Sequence, residues 1–235
     1  MTEAVLAVSG LSSGYGQAIV IRNVNLEIAR GEIVAVVGKN GMGKSTLLKS
    51  IMGYLPKFSG SVAMAQHAIG DSRPHQIARL GVAYVPQEKA LFQDLTVEQN
   101  IRLALRGSVA WNEAKETIDR CFPFLLRRLQ QKAGTLSGGE QKMLLMARSL
   151  AVGAKVLLVD EITEGMQPSI ISNLVKIIKA ERDRSGLGVL LVEQNIPFTH
   201  AVSDRYILLD KGEVSGSGNT REPDTREKIA AHISL

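Results

Sequence analysis

The stretch Ile33-Val34-Ala35-Val36-Val37-Gly38-Lys39-Asn40-Gly41-Met42-Gly43-Lys44-Ser45-Thr46 decides how the chain folds. Its first five residues are continuously apolar, the pattern of a parallel strand buried on both faces. Gly38 to Ser45 fit G-x-x-x-x-G-K-[ST], and Leu47, Leu48 and Ile51 then share one face of a helix expected over residues 45–53. Each position has a chemical reason. Glycines let backbone N–H groups converge on phosphate oxygens with no side chains in the way. The N-terminus of the next helix adds the positive end of its dipole. Lys44 brings a charge to the β- and γ-phosphates, and the Ser45 hydroxyl can ligate Mg2+. Gly38, Lys39, Asn40, Gly41, Met42, Gly43, Lys44, Ser45 and Thr46 are thus candidates for holding a nucleoside triphosphate. The loop does not identify the base or the work done.

Toward the N-terminus, Leu6, Val8 and Leu11, then Ile19, Ile21, Val24, Leu26 and Ile28, alternate with polar residues and are punctuated by Gly14 and Gly16. This predicts short antiparallel strands. Toward the C-terminus, strands are expected at 82–85, 156–159 and 189–192, and helices at 140–151 and 169–184. A hairpin is expected from 206–209 through Lys211-Gly212 to Val214, and an apolar helix-like end over 229–235. Residues 88–136 read as helical, with turns at Gly107 and Gly134 and Pro123 between them. Strands alternating with helices predict an α/β fold with a mainly parallel sheet. We expect one domain over 1–235: a core of 1–87 and 137–235 with N-terminal antiparallel strands, and an inserted helical subdomain over 88–136.

Composition removes several classes. The 235 residues are 45% hydrophobic and 22% charged, which excludes a wholly disordered chain. The longest apolar runs fall far short of the roughly 20 residues that cross a bilayer. The opening MTEAVLAVSG has no basic segment leading into an apolar one, so no secretory signal is expected. The single Cys121 excludes an internal disulfide framework and fits a reducing compartment. The formal charge is +5, but aromatics are only 4%, and the densest basic patch is Arg127-Arg128 with Lys132. That patch reads as a solvated face, and no nucleic-acid partner is expected.

A second acidic feature complements the loop. Residues 156–159 are an apolar strand that ends in Asp160-Glu161. Ligands of open α/β sheets bind at the carboxyl ends of the strands. Asp160 is then placed to hold the hydration shell of Mg2+, and Glu161 to accept the proton of an attacking water.

Leu136-Ser137-Gly138-Gly139-Glu140-Gln141 resembles the signature motif of ATP-binding cassette (ABC) ATPases. Its serine and two glycines precede a helix, a second anion-binding terminus. The resemblance implies two subunits packed head to tail, the signature of one covering the ATP on the phosphate loop of the other. It also implies roles at further positions. Tyr15 resembles the aromatic that stacks on adenine, and Gln87 the glutamine that touches Mg2+ and the attacking water. Glu164-Gly165-Met166-Gln167 occupies the loop that communicates across the dimer. Gln194 stands where most of the family has a γ-phosphate-sensing histidine; its amide both donates and accepts but cannot become cationic. Ile162 replaces the proline that usually follows the acidic pair. The implied catalytic set is Glu161, Lys44, Gln87 and Gln194, and the implied metal set is Ser45, Gln87 and Asp160.

Val192-Glu193-Gln194-Asn195 with Asp204-Arg205-Tyr206 is similar to the smaller ATPase of branched-chain amino acid importers. Residues 163–171 and Phe122-Pro123-Phe124-Leu125 resemble more closely the branch that takes up urea and short amides, which we favour as the solute class. The resemblance implies an importer energised by ATP-driven dimer closure, with two transmembrane permeases and an extracytoplasmic solute-binding protein. The second ATPase would be a paralogue, or a second copy of this chain. The chain would lie peripherally on the cytoplasmic face of the inner membrane. The helical subdomain and the segment near Gln87 would receive the permeases' coupling helices, with residues 88–92 as the lip. The alternative is a soluble non-transport cassette ATPase, of the Fe–S cluster assembly type, which shares every nucleotide motif.

Overall fold

The computed structural model describes residues 4–65, 67–87, 90–105 and 111–234. Strands β1 (Ala4–Tyr15) and β2 (Ala18–Ala29) form an antiparallel hairpin of two 12-residue strands, not the short strands that the pattern predicts. The spacing explains the difference. Val8 to Leu11 and Ile21 to Val24 each step by three, which breaks the two-residue period. The register shifts between Val8 and Leu11, and Gly10 and Asn23 take positive φ of 58° and 49° there. These bulges return Leu11 and Val24 to the buried face, so each strand runs on.

Next come β3 (Ile33–Val37), α1 (Lys44–Ile51), β4 (Lys57–Met64) and β5 (His67–Ala68). The antiparallel sheet has the order β2-β1-β4-β5. The fold continues with α2 (Pro74–Arg79), β6 (Val82–Val85), α3 (Val97–Arg102), α4 (Trp111–Cys121) and α5 (Pro123–Leu126). A 3-10 turn at Ala133–Thr135 precedes α6 (Gly138–Leu150), β7 (Val156–Asp160), α7 (Pro168–Ser185) and β8 (Gly188–Glu193). Last come α8 (Ile196–Val202), β9 (Arg205–Asp210), β10 (Glu213–Asn219) and α9 (Thr225–Ser234). The second sheet has the order β10-β9-β3-β8-β7-β6 and is parallel except for β10.

The parallel sheet divides two cores. Ile33, Ala35 and Val37 of β3 face the cluster that contains α6 and α7, whereas Val34 and Val36 face α1, β1 and β2. That is why β3 reads as unbroken apolar sequence. In β7, Leu157 and Val159 join the first cluster and Val156 and Leu158 the second. Asp160 is in phase with Leu158, so its carboxylate emerges on the α1 side, at the carboxyl end of the strand.

The elements β4, β5, α2 and α8 were not expected from the sequence. β5 and α2 are short, and in β4 only Val62 and Met64 are buried, too few for a readable period. Helix α6 begins two residues before the expected start, because Ser137 caps it. In the stretch expected to be helical, the described residues hold α3, α4 and α5, whose Val97, Ile101, Ile118 and Leu125 join the α6 and α7 core. The expectations for Glu88, Lys89, Gly107, Leu235 and the first three residues lie outside the described residues. Among the described residues, no helix is long and apolar enough to cross a membrane.

Candidate functional site

The phosphate loop links β3 to α1, and its glycines answer to backbone geometry. A Cβ on Gly38 would lie 2.4 Å from the Leu209 carbonyl oxygen, so only glycine lets the loop pass β9. Gly43 has a φ of 98° and caps α1. The loop is held from the β9–β10 turn: the Gly212 N–H donates to the Met42 carbonyl at 3.1 Å, and the Lys211 N–H lies 3.2 Å from the Met42 Sδ.

Lys44 is 4% exposed and turned back into its own loop. Its Nζ donates to the carbonyls of Gly38 (2.8 Å) and Lys39 (2.9 Å) and lies 3.1 Å from Glu161 Oε1. Glu161 is buried and takes a positive φ of 44°, a strained conformation for a residue with a side chain. Two amides reach the same carboxylate. Gln194 Nε2 donates to Glu161 Oε1 at 2.8 Å and to Asn40 Oδ1 at 2.6 Å, and Gln87 Nε2 donates to Glu161 Oε2 at 3.1 Å and to Glu164 Oε2 at 3.1 Å. Thus all four expected catalytic residues meet at one carboxylate.

Beside it, the Ser45 hydroxyl donates to Asp160 Oδ1 at 2.8 Å, and the Tyr84 hydroxyl donates to Asp160 Oδ2 at 3.1 Å. Burial pushes the Asp160 carboxyl above the ordinary range, opposed by these two hydroxyls. Burial, followed by the charge of Asp160, pushes the Tyr84 phenol far above its usual value, so Tyr84 keeps its proton and acts as the donor. Ser45, Asp160 and the side-chain oxygen of Gln87 are hard oxygen donors suited to Mg2+. Among the described residues, no three His, Cys, Asp or Glu side chains form a metal cluster, and Mg2+ held by one or two protein oxygens, water and phosphate does not require one.

Lys44, Ser45, Gln87, Glu161 and Gln194 open on a cleft of about 1040 Å³ that Asn40, Gly41, Gly43 and Thr46 also line; Asp160 stands behind Ser45, outside the lining. The loop 163–166 and Glu193 to Pro197 complete its walls. Sequence reasoning gave Tyr84 and Glu193 no role. The Glu193 carboxylate accepts the Thr163 N–H at 3.0 Å and the Thr163 hydroxyl at 2.9 Å, which ties the loop after Glu161 to the end of β8. Strand phase could have found Tyr84: β6 pairs with β7 in parallel, with Tyr84 opposite Leu158, on the face from which Asp160 projects.

The segment 136–141 does not line this cleft. Ser137 is exposed at the N-terminus of α6. Its Oγ accepts the Glu140 N–H at 3.3 Å while Glu140 Oε2 accepts the Ser137 N–H at 3.0 Å, a reciprocal cap. The Ser137 hydroxyl proton is not used in that cap. Tyr15, at the end of β1, is outside the cleft lining and 48% exposed.

The family model described as ABC transporter matches residues 21–164. A probable branched-chain amino acid transport ATP-binding protein of Archaeoglobus fulgidus, LivF, is 41% identical over 93% of this chain and 94% of its own. The lipopolysaccharide export system ATP-binding protein LptB of Escherichia coli K12 is 32% identical over 93% of this chain and 92% of its own. A solved structure of an ATP-binding subunit of an ABC transporter superimposes with a TM-score of 0.85 at 26% identity, covering 98% of this chain and all of that one.

Proposed function

The chain belongs to the ABC transporter family as an ATP-binding subunit and ATPase, and on that premise we propose that it energises an importer. The proposed solutes are branched-chain amino acids or urea and short amides. The relative at 41% identity supports the branched-chain class. The Phe122 to Leu125 stretch speaks less for the urea branch than its sequence suggests: Phe122 and Leu125 are fully buried, so they report packing.

The observation that carries the chemistry is the convergence of Lys44, Gln87 and Gln194 on Glu161. When ATP enters, Lys44 exchanges its Glu161 partner for the β- and γ-phosphates. Glu161 is then released to take a proton from water, with the Gln87 and Gln194 amides orienting that water. Ser45, Asp160 and the side-chain oxygen of Gln87 would hold Mg2+, which would supply charge neutralisation at the phosphate oxygens. Tyr15 offers an exposed ring face for adenine. Ser137, Gly138 and Gly139 serve the ATP of a second cassette, a paralogue or another copy, and closure of the two drives the permeases.

The permease contact is assigned to a groove of about 1010 Å³ on the β6 side. Tyr54, Leu80, Phe92 and Leu103 line it, half of the eight large hydrophobics exposed among the described residues. Apolar side chains gathered in this way mark a docking surface. The chain would sit peripherally on the cytoplasmic face of the inner membrane, with the solute-binding protein on the far side.

The test is a pull-down of tagged Glu161→Gln from native membranes with ATP and mild detergent. Two polytopic permeases, a second cassette ATPase and an associated solute-binding protein are the expected partners. Soluble partners alone would move the chain to a non-transport ATPase such as an Fe–S assembly factor. Export components would reverse the direction of transport, as the similarity to the LptB exporter ATPase allows.

A further inference from the structure

The groove beside β6 and the Asp160 carboxylate share one side chain. Tyr84 lines the groove, and its hydroxyl donates to Asp160 Oδ2 at 3.1 Å. Ser45 occupies the opposite oxygen, Oδ1, so the two hydroxyls fix both the position and the rotation of the carboxylate. On its groove side the Tyr84 ring meets Tyr54, with centroids 6.2 Å apart and planes inclined by 47°. Tyr54 is 56% exposed and therefore open to whatever enters the groove.

We infer that Tyr84 is a positioning residue for the Asp160 carboxylate, and that through Tyr54 it carries the state of the groove to that carboxylate. The inference rests on the metal role of Asp160 proposed above. A carboxylate that ligates a cation is in turn oriented by hydrogen bonds. Loss of such an outer hydrogen-bond partner typically weakens metal binding 10–100-fold. A shift of the Tyr54 ring moves the Tyr84 ring, and with it the hydroxyl on Oδ2. Filling the groove with an apolar side chain is therefore a means of tuning the metal site from outside, through packed rings and a single hydrogen bond.

The experiment is a Mg2+ titration of fluorescent ATP-analogue binding to the full chain, with binding in excess chelator as the control. Tyr84→Phe keeps the ring and removes the hydroxyl. It is expected to raise the half-saturating Mg2+ about tenfold while chelator-state binding stays near wild type. Tyr54→Ala is expected to raise it by a smaller factor, and by no further factor when combined with Tyr84→Phe. An unshifted Mg2+ midpoint in Tyr84→Phe would overturn the inference, as would an equal loss of chelator-state binding. Additive effects of the two substitutions would remove the link to the groove. A wild-type chain indifferent to Mg2+ would defeat the metal reading itself, and the inference with it. A Mg2+-dependent wild type with an unshifted variant defeats the inference alone.

Discussion

Lys44 Nζ lies 3.1 Å from Glu161 Oε1, so the cation of the phosphate loop and the acidic end of β7 pair with each other within the cleft. Both side chains are at least 90% buried, and neither can act on phosphate or water while it holds the other. Glu161→Gln frees Lys44 for nucleotide and removes the proton acceptor. It is expected to bind ATP at least as tightly as wild type and to release phosphate about 10²–10⁴-fold more slowly. Lys44→Ala is expected to lose nucleotide binding itself. Equilibrium ATP binding and single-turnover phosphate release measure both. Near-normal turnover in Glu161→Gln would reject Glu161 as the base, and micromolar ATP affinity in Lys44→Ala would reject the loop assignment.

Gln194 bridges two parts of the site, donating to Glu161 Oε1 and to Asn40 Oδ1. An amide that orients the base contributes more to the transition state than to ground-state binding. Gln194→Ala is therefore expected to lower kcat roughly tenfold with less than a threefold change in KM. Steady-state kinetics over a range of ATP concentrations supply the test. An unchanged kcat, or a loss confined to KM, would remove Gln194 from the chemistry.

The main chemical groups of the site were legible because their motifs are local. The phosphate loop and the acidic strand end each lie within eight consecutive residues, with a strand or helix beside them. Lys44, Gln87 and Gln194 were assigned from separate segments, and their meeting at Glu161 was not visible until the strands were ordered. Tyr84 and Glu193 escaped because a tyrosine in a strand and a glutamate at a strand end carry no motif; their roles come from register across β6, β7 and β8. The length of β1 and β2 escaped for a different reason: the bulges at Gly10 and Asn23 put steps of three into a pattern with a period of two. The order of the six-stranded sheet lies in pairings far apart in sequence, such as β3 with β8.

Glu193 is a buried carboxylate with a load to carry, the Thr163 N–H and hydroxyl. Burial raises its pKa above the usual glutamate value, against the hydrogen bonds from Thr163. The folded protein therefore holds this proton more tightly than the unfolded chain. The contribution of the group to stability is greatest at acid pH and declines as pH rises from the usual glutamate value through the raised one. Glu193→Gln is expected to lack this decline and to be no less stable than wild type at pH 7. Glu193→Ala leaves the Thr163 N–H without its acceptor and is expected to cost about 1–3 kcal/mol and to slow turnover. Denaturant unfolding from pH 4 to 8 measures the first effect. A Glu193→Gln chain with the wild-type pH slope would show that the decline belongs to other groups.

Helices α4 and α7 are joined through Glu181. Glu181 of α7 is 3% exposed and receives Arg120 from α4 (2.8 Å) and Arg184 from its own helix (2.7 Å), with the Cys121 thiol at 3.4 Å. Burial alone would raise the Glu181 pKa, but the hydrogen bonds from Arg184 and Arg120 outweigh it and bring the value down to about 2. The stabilisation is fully present above the usual glutamate value and is lost as pH falls toward 2. Glu181→Gln is accordingly expected to be less stable than wild type at pH 7, with the difference shrinking on acidification. The same environment acts on Cys121 in the opposite direction: burial first, then the Glu181 charge, push its thiol up to about 12. A buried, protonated thiol is a poor nucleophile. Iodoacetamide at pH 8 should alkylate Cys121 far more slowly in the native chain than in denaturant, with Glu181→Gln between the two. Native alkylation as fast as that of the unfolded chain would mean that α4 does not stay docked on α7 in solution.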